Sequence, residues 1–394
     1  MSQREVVVAS AVRTAIGTYG GSLKEVAPTA LAALCVRESV RRAGLPPASV
    51  GHVVFGSVVH GEARDMYLSR VAAVDGGLPV ETPCLTVNRL CGSGLQALVS
   101  AAQHIMLGDC DAAVAGGAES MSRAGYLLPS ARWGQRMGEA PLVDAMTAAL
   151  HDPFGNGHMG VTAENIAAKY GITREQQDAF ALESQHRAQR AIEAGYFKAQ
   201  VVPVEIKSRK GAVLYDTDEH VRRDAKLEDL QKLKPVFKKD GTVTAGNASG
   251  LNDAAAAVVL MERGAAERQG IAPMARLVAY AHAGVDPRLM GLGPVPAVRR
   301  VFEKSGLSPA DMDVVESNEA FAVQAMAVTR DLGLDPAKVN PNGGAVALGH
   351  PIGATGCILT VKALYELERA QRRYALVTMC IGGGQGIAAI FERL

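Results

Sequence analysis

Residues 91–117, CGSGLQALVSAAQHIMLGDCDAAVAGG, and residues 350–384, HPIGATGCILTVKALYELERAQRRYALVTMCIGGG, run through one order of features. Each opens on a glycine-rich turn, continues as a helical pattern, becomes a short apolar strand and ends on consecutive glycines. In the first, Leu95, Leu98, Val99, Ala102 and Ile105 or Met106 recur at helical spacing, so 94–107 reads as a buried helix. The runs ahead of them also match: Val53-Val54-Phe55-Gly56-Ser57 before the first and Val314-Val315-Glu316-Ser317-Asn318 before the second. Few residues are identical between the halves, so the expectation of a duplicated α/β unit rests on the order of elements.

Working outward, β-branched runs at 6–9, 53–55 and 112–115 read as buried strands, and they alternate with alanine- and leucine-rich helical stretches. That alternation is an α/β signature. Between 122 and 250 the chain carries more charge and proline. Thr173 and Gln176 form a capping-box signal for a helix that runs to about Ala194 and stops at Gly195. LNDAAAAVVLME, 251–262, reads as a return to the first unit, and the second begins near Ala275. The expected division is an N-terminal unit 1–121 completed by 251–270, an inserted loop domain 122–250, and a C-terminal unit 271–394. The 394 residues suit two or three domains at roughly 150 residues each.

Composition removes several function classes. Net charge is +1, which argues against electrostatic attraction to nucleic acid or an anionic membrane. The basic stretches 207–210 and 226–239 read as solvated loop surface, with help in attracting an anionic cofactor as the lesser alternative. No run of about 18 apolar residues predicts a membrane span. Six cysteines (35, 84, 91, 110, 357, 380) show no CxxC and no paired spacing, so neither a metal site nor a disulfide framework is expected. The first residues, MSQREVVVASAVRT, lack a leader pattern and the last three are not a peroxisomal signal; a reducing cytoplasm is expected.

Four residues stand where chemistry could be done. Cys91 falls where a strand-like run gives way to a helix, so helix-end N–H groups would favour its thiolate and lower a pKa of about 8.5. The bland alternative is a small buried cysteine. His350 sits at the tip of a Gly/Pro turn, where a neutral imidazole can accept a thiol proton; a turn histidine bonded to backbone is the alternative. Cys380 ends a strand ahead of Gly382-Gly383-Gly384-Gln385-Gly386. No Lys-Ser/Thr and no room for a helix follow, so a phosphate-loop reading fails, and the glycines better suit N–H donors for an oxyanion. Asn318, in NEAFA, reads as a helix N-cap or a functional amide.

VNRLCGSG, NEAFA, GGAVALGHPIGATG and CIGGGQGIA, in this order, closely resemble the thiolases, and the likeness spans essentially the whole chain. TVTAGNASGLNDAAAA (242–257) and His158-Met159-Gly160 resemble the bacterial biosynthetic branch, including 3-ketothiolases that feed polyhydroxyalkanoate synthesis. The resemblance implies duplicated thiolase-like α/β units in a layered α-β-α-β-α architecture with an inserted loop domain. It implies reversible Claisen condensation of acetyl-CoA with acyl-CoA, coenzyme A being substrate or product and no cofactor permanently bound. By it, Cys91 is acylated, His350 takes its proton, and Cys380 moves the α-proton. Asn318 holds a water that forms one oxyanion hole with His350; the N–H groups of Cys91 and Gly382 form the other. Ala245 and Ser249 would line the pantetheine tunnel, His158 and Met159 would meet pantetheine and acyl group, Met290, Ala320 and Phe321 would wall the reacting group, and Arg222 would lie near the adenine. Plain core packing is the alternative for Met159, Met290 and Phe321.

The resemblance also implies a homotetramer, with 123–143 (Tyr126, Leu127, Leu128, Trp133) similar to the loop that joins dimers; a mobile lid is the competing account. One departure is Gly157, where short-chain relatives carry an aromatic residue, which would loosen the acyl pocket enough for five-carbon as well as four-carbon substrates. A decarboxylating ketoacyl synthase is disfavoured by Cys380. A degradative thiolase of β-oxidation shares the chemistry, and a thiolase-like lipid carrier would lack it.

Overall fold

In the computed structural model residues 4–208 and 211–394 are described. Arg209 and Lys210 of the first basic stretch, and residues 1–3 of the leader reading, lie outside them. The main strands are β1 (Val6–Arg13), β2 (His52–Gly56), β3 (Cys84–Val87), β4 (Ala112–Ser120), β5 (Asn252–Glu262), β6 (Ala275–Gly284), β7 (Val314–Ser317), β8 (Tyr374–Ile381) and β9 (Gln385–Arg393). The principal helices are α1 (Pro28–Ala43), α2 (Leu68–Asp75), α3 (Ser93–Leu107), α4 (Met159–Tyr170), α5 (Arg174–Glu193), α6 (Pro294–Ser305), α7 (Ala322–Asp331) and α8 (Ile352–Arg369). The capping box predicted at Thr173 and Gln176 starts α5.

The strands form one path in the order β7-β8-β9-β6-β1-β5-β4-β2-β3. β5 lies antiparallel between β1 and β4. The two halves meet where Val7 and Val8 of β1 pair with Arg276 and Ala275 of β6.

Why these strands read as continuous apolar runs follows from burial on both faces. Along β1, Val6 and Val8 enter one core while Val7, Ala9 and Val12 enter another. The first core holds α3 and α8 between the two half-sheets. The second packs α1 and α2 on the outer face of the N-terminal half. A third packs α6 and α7 on the outer face of the C-terminal half. Five layers, α-β-α-β-α, result.

The central layer contains two helices because glycines let them touch. A Cβ at Gly356 would stand 2.3 Å from the backbone N of Leu95, and one at Gly94 would stand 2.7 Å from that of Cys357. The glycine turns of the two repeats therefore end as neighbours, which brings their first residues, Cys91 and His350, to one place.

Candidate active site

A cavity of about 310 Å³ opens at the N-termini of α3 and α8. Cys91, His350, Gly382, His158, Met159, Ala245, Ser249, Met290, Ala320 and Phe321 all line it. Cys380 and Asn318 are fully buried outside that lining. Arg222 is exposed and away from the cavity, its backbone N–H donating to Gln185 Oε1.

Cys91 stands on a strained turn. Leu90, just before it, has φ of 45°, a left-handed conformation costly for a branched side chain. Side chains hold that turn. The Leu90 N–H donates to Asn88 Oδ1 (2.9 Å), the Arg89 N–H to Ser93 Oγ (2.8 Å), and the Ser93 hydroxyl to Leu90 O (2.7 Å). The N–H groups of Gly382 and of Cys91 itself lie near enough to the sulfur to favour its thiolate. A Cβ at Gly382 would lie 2.8 Å from Met159 Cε and 2.9 Å from Leu90 Cδ1, so a larger residue would push those side-chain ends aside.

The thiol departs from the sequence expectation. Cys91 precedes the capping Gly92, and α3 begins only at Ser93. Although the residue keeps some surface open to the cavity, burial pushes its thiol up to about 11 against the pull of the two N–H donors, and the Glu119 charge adds to the rise. Desolvation outweighs the helix end. Cys380 is pushed higher still by burial, with Cys91 close enough to contribute. The resting pair is two thiols.

His350 is held from three sides. Its backbone N–H donates to Asn252 Oδ1 (2.9 Å). Nδ1 lies 2.7 Å from Thr355 Oγ1, whose hydroxyl donates to Pro351 O at 2.9 Å. A hydroxyl has one hydrogen, so the arrangement satisfying both contacts has Nδ1–H donating to Thr355 and Nε2 carrying the lone pair. Asn318 Nδ2 lies 3.4 Å from that Nε2. Burial lowers the imidazole to about 4, so it is neutral at neutral pH. Asn318 is not a helix cap: Phe321 holds that position at the start of α7, three residues on. Its Oδ1 is buried without a hydrogen-bond partner among the described residues.

His158 caps α4, its Nδ1 accepting from the Gly160 N–H at 3.0 Å, which leaves Nε2 as the protonated nitrogen. Its ring stacks on Phe237 at 4.6 Å, and burial, then His151, lowers it to about 4.

Sequence reading missed part of the wall. Val236 and Phe237 line the cavity from within the stretch 226–239, read as solvated surface. A strand or helix period would have flagged them, but the chain there is irregular. Met121, Met146, Leu150 and Ile352 make an apolar end beside Cys91. Thr355, five residues after His350, was visible only as part of a motif. Gly157 lies outside the lining, and its φ of 77° favours glycine for backbone reasons.

Comparison with known proteins gives the family. The thiolase N-terminal domain model matches residues 6–264 and the thiolase C-terminal domain model residues 271–393. The chain is 69% identical over 392 residues to the beta-ketothiolase BktB of Cupriavidus necator, covering 99% of this chain and 100% of that protein. It is 50% identical over 396 residues to an acetyl-CoA acetyltransferase of Syntrophomonas wolfei, covering 99% and 100%. The solved structure of human mitochondrial 3-ketoacyl-CoA thiolase in complex with CoA superposes with a TM-score of 0.96 at 45% identity, over 99% of this chain and 98% of that one.

Proposed function

The chain belongs to the thiolase family, and from that premise we propose how its residues divide the work. It is an acyltransferase acting on acyl-CoA and coenzyme A. In the cleavage direction, Cys91 Sγ gives its proton to His350 Nε2 and attacks the 3-keto carbon. The C2–C3 bond breaks, its electron pair forms the enolate of acetyl-CoA, and the Cys380 thiol protonates C2. The acyl-Cys91 thioester is then attacked by the thiol of coenzyme A, whose proton passes to the Cys380 thiolate, and His350 Nε2 returns its proton to the Cys91 sulfur as the shortened acyl-CoA is released. Condensation is the reverse.

The observation that carries this reading is the meeting of Cys91, the Gly382 N–H and a tautomer-fixed His350 Nε2 at one cavity, with Cys380 close behind. Cys91 and Gly382 N–H groups suit one oxyanion hole, and His350 with Asn318 suits the other. Each such donor typically contributes about 3 kcal/mol in the transition state. His158, Met159, Ala245 and Ser249 are read as the pantetheine passage, Met290, Ala320 and Phe321 as the wall about the reacting carbons, and Arg222 as an outer contact toward the adenine.

The substrate is read as a short 3-ketoacyl-CoA of four to five carbons, in a biosynthetic role like that of the relatives named beta-ketothiolase and acetyl-CoA acetyltransferase. Met121, Met146, Leu150 and Ile352 close the acyl end. A homotetramer is read from the exposed Tyr126, Leu127, Trp133, Met137 and Leu142 around a two-strand hairpin. A cytoplasmic site is in keeping with the lack, among the described residues, of a helix long and apolar enough to cross a membrane.

The test mixes purified protein with acetoacetyl-CoA and free coenzyme A and follows loss of the ketoacyl absorbance, for wild type and Cys91→Ala. Loss of activity in the variant is expected. Activity that survives Cys91→Ala overturns the assignment of the nucleophile.

A further inference from the structure

We propose that Glu119 is a positioning residue that sets the distance between Cys91 and His350 by clamping the two halves of the molecule across the active site. The proposal rests on the reading of Cys91 and His350 given above.

Glu119 is the penultimate residue of β4 and is completely buried. Its Oε1 accepts from the Val59 N–H at 3.0 Å, and its Oε2 from the Val58 N–H at 3.1 Å. Both donors belong to the loop after β2, in the N-terminal half. Oε2 also accepts from the Gly353 N–H at 2.8 Å, in the C-terminal half. Gly353 is the second residue of α8, and His350 is two residues before that helix begins. One carboxylate therefore joins three backbone donors from two segments far apart in sequence.

The joint has a reason at each end. Pro351 is the N-cap of α8 and supplies no side-chain cap. The first N–H groups of the helix need partners, and a carboxyl oxygen can accept from them. Glu119 fills the role from another strand. Close contact is built in, because a Cβ at Gly353 would lie 2.6 Å from Glu119 Oε2 and 2.9 Å from Ser57 Cα. On the other side, Val59 packs in the apolar cluster against which Cys91 rests. The clamp thus fixes the start of the His350 helix to the wall behind the nucleophile. Burial raises the Glu119 carboxyl to about 8 against the pull of the three N–H donors, so the charge that raises the Cys91 thiol is present above that pH.

Nothing in the proposed chemistry touches the Glu119 carboxylate, so its effect is one of geometry and field. Glu119→Gln keeps the shape but offers a single accepting oxygen and no charge. Acetoacetyl-CoA cleavage would be followed for wild type, Glu119→Gln and Cys91→Ala, together with the pH dependence of Cys91 alkylation by iodoacetamide. The expected result for Glu119→Gln is a kcat about ten- to a hundredfold lower, as a displacement near 1 Å costs, with KM within about twofold of wild type. Alkylation should titrate at lower pH than in wild type, which a merely structural role would not produce. Should Glu119→Gln not accumulate, Glu119→Asp, which retains charge but is a methylene shorter, should show the same fall in kcat without the alkylation shift. Wild-type kcat in a folded variant, or a loss carried by KM, overturns the proposal, as does failure of both variants to fold. Failure of the mechanism itself would look different: Cys91→Ala would remain active.

Discussion

The turn that presents Cys91 and the turn that presents His350 occupy equivalent places in the two repeats, yet they are built oppositely. At Cys91 the backbone is strained at Leu90 and the residue lines the cavity, with the Gly382 and Cys91 N–H groups near its sulfur. At His350 the backbone N–H and Nδ1 are already satisfied, by Asn252 and Thr355, and only Nε2 is left for chemistry. Duplication supplied a symmetric frame, two glycine turns meeting through Gly94 and Gly356. On the proposed mechanism the two turns differ in use, one shaped to react and the other to hold a base in one tautomer.

That contrast is broken most strongly at the base itself. His350→Ala should lower kcat for acetoacetyl-CoA cleavage by about 10²–10⁴, the usual range for a general base. A fall of less than tenfold in steady-state assays would mean that the neutral Nε2 is not the proton acceptor. Thr355→Val probes the hold rather than the base. It removes the acceptor for Nδ1–H in a buried place, at a cost on the order of 1–3 kcal/mol, so kcat should fall about ten- to a hundredfold with KM little changed. An unchanged kcat would show that the tautomer is set elsewhere.

On the Cys91 side the apolar wall can be sharpened by enlarging it. Leu150→Ala should move preference toward longer 3-ketoacyl-CoA, since one methylene in an apolar pocket is worth about 1–3 kcal/mol. The measurement is the ratio of kcat/KM for six-carbon over four-carbon substrate, and a ratio equal to that of wild type would place the acyl group at another part of the cavity.

The smallest expected effect is in stability against acid. His350, His158, His220 and His282 are all lowered by burial from 6.5 to about 4. Between those values the unfolded chain binds more protons than the folded one, so the stability from keeping these rings neutral is complete above about pH 6.5 and is lost as pH falls toward 4. The melting temperature should drop between pH 7 and pH 5, and His350→Asn should drop less. Equal drops would indicate that His350 titrates normally.

How much of this was legible beforehand depended on whether the signal was local. Cys91, His350 and Cys380 are marked by glycines beside them, because close backbone approach needs glycine wherever a substrate or an N–H donor must reach the group. The halves and the return of 252–262 are marked by apolar runs without alternation, since those strands are buried on both faces. Phe237, Met146 and Leu150 carry no such mark, being placed by irregular chain or a short helix in the stretch between the halves. Glu119 reads locally as a polar strand end, and its three partners lie 60, 61 and 234 residues away. The Cys91 thiol was misread for the same reason: the helix end is local, whereas the burial that overrides it comes from elements distant in sequence.

The central claim is that Cys91 carries the acyl group. Protein mixed with acetoacetyl-CoA without free coenzyme A, quenched in acid, digested and weighed by mass spectrometry should show one acetyl increment on the peptide containing Cys91, removed when coenzyme A is added before the quench. An increment on Cys380 instead, or turnover with no acylated peptide at any time, would contradict it.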